Sequence, residues 1–182
     1  MPNVLDTKLD RAFTMLDADG DGALVSDDLT TLAGKLAAAF GLVGSPKATR
    51  LHDAFALIWE QDLRHMDADG NGSIDPAEFR DGMRRAADGE HRAAFLTRLN
   101  EMVAAWMDIA DTDGNGVVDL DEFTTMYTHT LGADPGDLAT AFARLDLDGN
   151  GSLDADEIRR ATEEYYTSES PDAPGNWLFG AL

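Results

Sequence analysis

One twelve-residue pattern occurs four times in the chain and restricts the possible folds more than any other feature. Each copy has Asp at positions one and three, Asp or Asn at position five, Gly at position six and an aliphatic residue at position eight. The copies align without gaps at residues 17–28 (DADGDGALVSDD), 67–78 (DADGNGSIDPAE), 111–122 (DTDGNGVVDLDE) and 146–157 (DLDGNGSLDADE). A segment that repeats in register indicates one structural unit used four times.

The segments before and after each copy have the apolar spacing of amphipathic helices. Leu9, Phe13 and Leu16, for example, recur every three to four positions before the first copy. Glycine and proline interrupt the helical pattern at residues 41–46, 88–89 and 132–136. No alternating strand pattern of useful length occurs. The sequence therefore predicts an all-α protein made of four helix-loop-helix units.

Each copy places oxygen donors at the spacing that a divalent cation requires. Positions one, three and five supply side-chain oxygens, position seven its backbone carbonyl and position twelve a carboxylate, while position nine often acts through water. Glycine at position six permits the positive φ with which the loop reverses around the ion. The predicted metal ligands are Asp17, Asp19, Asp21, Ala23, Asp28, Asp67, Asp69, Asn71, Ser73, Glu78, Asp111, Asp113, Asn115, Val117, Glu122, Asp146, Asp148, Asn150, Ser152 and Glu157.

Four such loops in register, each between apolar helices, resemble the EF-hand family. One Asp-Gly-Asn-Gly stretch alone is compatible with an ordinary turn in an acidic surface, but four complete copies argue against that interpretation. EF-hands normally pair back to back through a short antiparallel bridge between their eighth positions. The resemblance therefore implies two pairs of hands, in which Leu24 pairs with Ile74 and Val118 pairs with Leu153.

The first loop departs from the pattern at two positions. Val25 at position nine has no side-chain oxygen, and Asp28 at position twelve is one methylene shorter than the Glu of the other loops. A shorter carboxylate reaches an ion less easily through both oxygens, which lowers the coordination number and favours the smaller Mg²⁺. We predict up to four bound Ca²⁺ ions, with site one binding Ca²⁺ more weakly than the others or holding Mg²⁺.

The charge of the chain excludes several classes of partner. It has 35 Asp and Glu against 14 Lys and Arg, a formal net charge of −21, and no Cys. Nucleic-acid binding needs clustered cations, and an acidic membrane surface would repel this chain. No segment approaches the roughly 18 apolar residues of a membrane span, and a chain without Cys can fold in a reducing compartment. We expect a cytoplasmic monomer without a nucleic-acid or membrane partner.

The joint between the two halves predicts that they pack against each other. Only the short Gly-containing segment 87–90 connects them. The predicted units are an EF-hand pair at residues 1–87, a second pair at 90–166, and an apolar tail at 167–182. Because Trp177, Leu178 and Phe179 are too apolar to remain in water, we expect this tail to pack back over the core.

The whole pattern resembles the sarcoplasmic calcium-binding protein family and its bacterial calerythrin-like members. The tail segment 171–180 (PDAPGNWLFG) resembles the tails of the bacterial members, and Ala-rich, Arg-over-Lys usage fits a bacterial source. The resemblance implies one compact body and a role as an intracellular calcium buffer or signal modulator.

Two binding functions remain as alternatives. A calcium sensor would release the tail and expose an apolar, Met-rich groove to a protein target, although the Met residues fall largely at core positions. The fold also resembles coelenterazine-binding proteins and photoproteins, in which aromatic and His side chains surround a ligand. Trp59, Trp106 and Trp177 are available for that role, but the four His residues show no recognisable spacing.

An enzyme is not predicted. The chain has no Gly-rich phosphate loop, no Cys and no nucleophile-elbow Ser, and its paired carboxylates are already explained as metal ligands.

Overall fold

Eight α-helices, counted over the described residues 3–181, form the protein in this computed structural model. The helices are α1 (Val4–Leu16), α2 (Ser26–Ala39), α3 (Pro46–Gln61), α4 (Pro76–Asp88), α5 (Arg92–Ala110), α6 (Leu120–Leu131), α7 (Pro135–Leu145) and α8 (Ala155–Thr167). Two 3₁₀ helices (Leu63–Met66 and Pro174–Trp177) and two strands, β1 (Val118–Asp119) and β2 (Ser152–Leu153), complete the architecture. Each repeated loop connects two helical segments, which confirms the predicted helix-loop-helix units. None of the helices in the described part has the length and apolarity to cross a membrane.

The eighth positions of the loops join the hands in two pairs. Strands β1 and β2 are antiparallel and place Val118 opposite Leu153. Leu24 and Ile74 form an isolated antiparallel bridge, with N···O distances of 2.9 and 3.0 Å. All four side chains are at most 2% exposed. Both predicted pairings are confirmed, and each fixes one loop against its neighbour.

Helices from the two halves of the chain pack directly on one another. Helix α3 packs along α5, α1 packs against α8, and α2 contacts α6. These contacts join the two halves of the chain. The division into residues 1–87, 90–166 and 167–182 as separate units stays a prediction.

The helix that leads into the second loop is interrupted before the loop begins. The apolar spacing of this segment does not indicate the interruption. Helix α3 ends at Gln61, and a 3₁₀ helix from Leu63 to Met66 follows it. Asp62 lies at the break, and its two carboxylate oxygens accept hydrogen bonds from Arg98 on α5, both at 2.6 Å. This two-point ion pair, mostly shielded from water, holds the break against α5.

The tail reaches the core of the molecule through Leu178 and Phe179. The ring of Phe179 is 4.9 Å from that of Tyr165, 6.2 Å from Tyr127 and 6.5 Å from Trp106, measured between centroids. The carbonyl of Leu178 accepts a hydrogen bond from the Tyr127 hydroxyl at 2.8 Å. The tail therefore fills the space between α5, α6 and α8 with aromatic contacts.

A buried lysine connects the first helix to the end of the chain. Lys8 is fully buried, and its Nζ donates to the carbonyls of Glu164 and Ser168 and to Asn176 Oδ1, at 2.8–2.9 Å. Burial lowers the pKa of the Lys8 ammonium from 10.5 to about 8, although Glu164 partly opposes the shift. Three hydrogen bonds compensate the charge, because an unpaired buried ammonium would be very costly.

We predict that stability rises from about pH 8 to about pH 10 and then falls. Between the folded pKa of Lys8, about 8, and its ordinary value of 10.5, the unfolded chain binds more protons, so the free energy of unfolding increases with pH. Burial raises the pKa values of Tyr127, Tyr165 and Tyr166 above the ordinary 10. Above pH 10 these tyrosines ionise more readily in the unfolded chain than in the folded protein, so the free energy of unfolding decreases.

Urea denaturation of the calcium-saturated protein between pH 7 and pH 11 measures both the rise and the fall in stability. The free energy of unfolding should rise by about 3 kcal/mol between pH 8 and pH 10. It should disappear in Lys8→Met, which cannot titrate, while the fall above pH 10 remains. An equal rise in Lys8→Met would contradict the assignment to Lys8.

Candidate metal sites

Three carboxylates converge in every loop. Those at positions one, three and twelve offer oxygen atoms that all lie within 4.8 Å of one another, as Asp17, Asp19 and Asp28; Asp67, Asp69 and Glu78; Asp111, Asp113 and Glu122; and Asp146, Asp148 and Glu157. Negative charges this close repel each other unless a cation neutralises them. The donors are oxygens without nitrogen or sulfur, the set that suits Ca²⁺ and Mg²⁺.

Backbone amides shape each loop around its first carboxylate. In loop two, Asp67 accepts hydrogen bonds from Gly70 at 2.8 Å and from Gly72 at 2.9 Å, one on each oxygen. The hydrogen bond from Gly72 makes the largest contribution to the lowered pKa of Asp67. Gly70 and Gly72 have φ of +76° and +92°, conformations that side-chain-bearing residues rarely adopt. Glycine is therefore required at position four as well as at the predicted position six.

The predicted ligands at positions five and seven are linked by hydrogen bonds in the same way in every loop. The side-chain oxygen at position five accepts the backbone N–H of position seven at 2.8–2.9 Å, in the pairs Asp21–Ala23, Asn71–Ser73, Asn115–Val117 and Asn150–Ser152. This contact makes a tight turn in the chain between the two positions. Their role as ligands stays a prediction.

The carboxylate at position twelve connects the two ends of its loop. In loop two, Glu78 Oε1 accepts the N–H of Ala68 at 2.9 Å, and Oε2 accepts the N–H of Asp75 at 3.0 Å. Asp28 makes the equivalent contacts in loop one, to Ala18 at 3.1 Å and Val25 at 2.9 Å. The shorter side chain therefore still reaches both ends of its loop.

Position nine has a structural role that the ligand pattern does not reveal. Asp75, Asp119 and Asp154 each cap the following helix by accepting N–H groups from its first turn, while the Glu three residues later bonds back to the cap. Aspartate followed by glutamate at this spacing is a capping box, so the signal is present in the sequence. Val25 offers no such side-chain oxygen, and the start of α2 relies on Asp28 alone.

Comparison with known proteins supports this geometry. A model described as an EF-hand domain pair matches residues 49–128, and one described as an EF hand matches residues 138–161. Obelin from Obelia longissima is 30% identical over 92% of this chain and 85% of its own length. The chain belongs to the EF-hand family.

Calerythrin and a Streptomyces calcium-binding protein are similar over nearly the whole chain. Calerythrin from Saccharopolyspora erythraea is 27% identical over 90% of this chain and 92% of its own length. The structure of a Streptomyces coelicolor calcium-binding protein superposes with a TM-score of 0.74 at 28% identity, covering 90% of this chain and 98% of that one. The chain is therefore a calcium-binding EF-hand protein related to calerythrin. Its first loop, residues 17–28, lies outside both matched ranges, and this is the loop that departs from the ligand pattern.

Lengthening the twelfth side chain of loop one should strengthen its calcium binding. We expect Asp28→Glu to raise the Ca²⁺ affinity of site one by about tenfold, because Glu can offer both oxygens to the ion. Isothermal titration calorimetry with Mg²⁺ present measures the change. Asp27→Glu adds the same methylene one residue away, outside the ligand positions, and should leave the affinity as it is. No gain, or a loss, in Asp28→Glu would contradict this explanation of site one.

Proposed function

We propose that this protein is a calcium buffer or signal modulator. The observation that carries the proposal is the position of the tail, in which Leu178 and Phe179 are buried against α5, α6 and α8. A sensor needs an apolar surface that calcium exposes to a target, whereas a buffer binds ions with little opening. Here the chain's own tail occupies the space between the helices that would have to open.

The methionines support the same proposal. Sensors present flexible Met side chains in an open groove, because Met adapts to varied partners. In this protein Met66, Met83, Met102, Met107 and Met126 are all buried. Their positions are those of core residues.

The proposal assigns a divalent cation to each of the four loops. Sites two, three and four take Ca²⁺, and site one takes Ca²⁺ more weakly or holds Mg²⁺, with the predicted residues at positions one, three, five, seven and twelve as ligands. When bound, the ion supplies positive charge and fixes the loop. The proposal further describes a cytoplasmic monomer of two EF-hand pairs, residues 1–87 and 90–166, without catalytic activity. The lack of Cys and the assignment of the paired carboxylates as ligands support these points.

A calcium sensor is the second candidate, and one surface feature favours it. A groove of about 500 Å³ lies between α5 and α8 beside loops three and four, with Ala104, Met107 and Ile158 among its lining residues. The similar Streptomyces coelicolor structure is described as a basis for calcium-mediated regulation. A target bound in this groove would leave the tail in place.

A ligand-carrying function has less support. A photoprotein-like ligand would be enclosed in the core, whereas the groove between α5 and α8 is open to solvent; a cavity within the core, which Leu16, Phe79, Leu99 and Tyr166 help to line, has a volume of about 10 Å³. Sites for drug-sized ligands have volumes of roughly 300–1,000 Å³. We therefore expect the purified protein to show no visible absorption band from a bound chromophore.

A calcium titration with Mg²⁺ present distinguishes a buffer from a sensor. An apolar-surface dye and tryptophan fluorescence report exposure of the core, since a ligand shifts a conformation only through differential affinity. A buffer should show little change or a decrease in dye fluorescence, and a sensor should show a large increase. A large increase would overturn the leading proposal in favour of the second candidate.

Substitution of the twelfth-position carboxylates tests the sites themselves. Glu78→Gln, Glu122→Gln and Glu157→Gln should each remove one high-affinity ion from the calorimetric stoichiometry. Glu90→Gln, in the joint between the halves, removes the same charge outside the loops and should keep the native stoichiometry. An unchanged stoichiometry in any of the three loop variants would refute that ligand.

A further inference from the structure

Lys47, in the first turn of α3, lies against the start of loop three in the other half of the chain. Its Nζ donates to the backbone carbonyls of Asp108 and Asp111, both at 2.7 Å, and lies 3.6 Å from the Asp108 carboxylate. The carbonyls at the C-terminal end of a helix lack partners within the helix and carry partial negative charge. The Lys47 ammonium therefore donates hydrogen bonds to carbonyl groups at the C-terminal end of α5, where loop three begins.

One peptide group links Lys47 to the twelfth-position carboxylate of loop three. The carbonyl of Asp111 accepts the hydrogen bond from Lys47, and the N–H of the same peptide, on Thr112, donates to Glu122 Oε1 at 2.7 Å. The Thr112 hydroxyl adds a second bond to Glu122 Oε1 at 2.8 Å. Hydrogen bonds in series polarise one another, so the cation strengthens the donor that holds Glu122.

This series of hydrogen bonds from Lys47 to Glu122 lies in the loop whose first and twelfth carboxylates are the most buried of the four loops. Asp111 is 7% exposed and Glu122 is 8% exposed, whereas Asp67 and Glu78 in loop two are both partly exposed. Shielding from water strengthens hydrogen bonds and charge interactions. The position of Lys47 therefore affects loop three more than an exposed surface ion pair would.

Lys35 provides a comparison within the same molecule. Its Nζ donates to the carbonyl of Ala18 in loop one at 2.9 Å. Asp28, however, accepts the N–H of Ala18, which belongs to the preceding peptide group. Lys35 also lies on α2, in the same hand as its loop. Lys47, in contrast, connects the second hand to the third through a single peptide.

We propose that Lys47 is a positioning residue for calcium at site three, and that it couples the occupancy of this site to the order of the α2–α3 joint, residues 40–45, and the first turn of α3. The inference rests on the proposed function, in that site three binds Ca²⁺. Binding fixes Glu122 and hence the peptide that Lys47 holds. Because coupling is reciprocal, an ordered joint also strengthens calcium binding at site three.

A positioning role of Lys47 and a simple charge effect predict opposite changes in calcium affinity at site three. If Lys47 acted only as a positive charge near the ion, its removal would relieve repulsion and strengthen calcium binding. If it positions Glu122, its removal weakens binding. Arg50 is the matched control, since it pairs with Asp108 at 3.3 Å and no hydrogen bond joins it to Asp111. Lys47→Met and Arg50→Met remove the same charge.

Hydrogen exchange of the full-length protein, with and without calcium, tests the coupling. The reporters are the amides of Ala48 and Thr49, which bond to Ser45 at 3.1 and 3.0 Å. Calcium should slow their exchange about tenfold in the native protein and in Arg50→Met, the scale of one charge-assisted hydrogen bond. In Lys47→Met the slowing should fall below about twofold, and site-three affinity should decrease by up to about tenfold with unchanged stoichiometry.

The possible failures are distinguishable. The positioning role would be overturned if Lys47→Met kept the native calcium affinity and hydrogen exchange, or if it bound calcium more strongly. It would also be overturned if Arg50→Met had an equal effect. If Glu122→Gln instead keeps the native stoichiometry, the assignment of site three is wrong, independently of Lys47.

Discussion

Chelating calcium is expected to lower the melting temperature of this protein by about 15–30 °C. Ions that bind the folded chain alone stabilise it by about 4 kcal/mol per site at a thousandfold excess over the dissociation constant. If two of the three proposed calcium sites are filled to this degree, they contribute about 8 kcal/mol, and each kcal/mol shifts the melting temperature by about 2–4 °C in a chain of this size.

Repulsion in the ion-free protein adds to this effect. The chain has a formal net charge of −21, and each loop brings three carboxylates within 4.8 Å of one another. Without cations, folding must concentrate these charges, whereas the unfolded chain separates them. We therefore expect the ion-free loops to be the least stable part of the fold and calcium to stabilise the structure that binds it.

Differential scanning calorimetry in calcium and in chelator, at constant ionic strength, measures the difference. Raising NaCl to about 0.5 M in chelator is the control, since screening weakens the repulsion between exposed carboxylates without supplying their ligand bonds. Salt should recover only part of the lost stability. Equal melting temperatures in calcium and chelator would contradict the assignment of the loops as calcium sites.

The loops could be predicted because their determinants are local. Ligand donors, the glycines and the aliphatic eighth position all lie within twelve residues, and the motif tolerates little variation in their spacing. The bridge from Val118 to Leu153 was expected from the resemblance to EF-hands, which pair through their eighth positions. The loops themselves required no knowledge of distant parts of the chain.

The lysine contacts could not be predicted in the same way. Lys8 lies on the buried face of α1 with Leu5 and Ala12, a placement that the helical spacing indicates, but its partners Ser168 and Asn176 are far away in sequence. Lys47 follows Pro46 in an ordinary helix start, and its role depends on where α5 ends. Such contacts follow from how helices pack, which spacing within one helix does not specify.

The break before loop two has the same origin. Residues from Leu51 to Met66 have helical spacing, yet the helix stops at Gln61, next to the point where Asp62 bonds to Arg98 on α5. A charged pair between segments distant in sequence therefore accompanies the break. The sequence of the segment alone indicates the helix but not where it ends.

Removal of the Phe179 ring should reduce the stability of the protein more than any other single side-chain substitution in the tail. We expect Phe179→Ala to lower the free energy of unfolding by about 3–5 kcal/mol, the range for buried Phe. The side chain is 3% exposed and contacts three aromatic rings edge-on or tilted, of which Tyr165 is nearest at 4.9 Å. Its backbone carbonyl also accepts a hydrogen bond from Arg11, which the substitution leaves in place.

Urea denaturation in saturating calcium measures this loss, and tryptophan fluorescence, to which Trp106 next to the Phe179 ring contributes, follows the transition. Leu57→Ala removes an apolar side chain that is 43% exposed on α3 and should change stability by less than about 0.5 kcal/mol. Dye binding on calcium addition should increase in Phe179→Ala while remaining low in the native protein, because the tail then covers the core less well. A loss below about 1 kcal/mol, with unchanged dye binding, would remove the observation on which the buffer proposal rests, since the buried tail would not be holding the helices together.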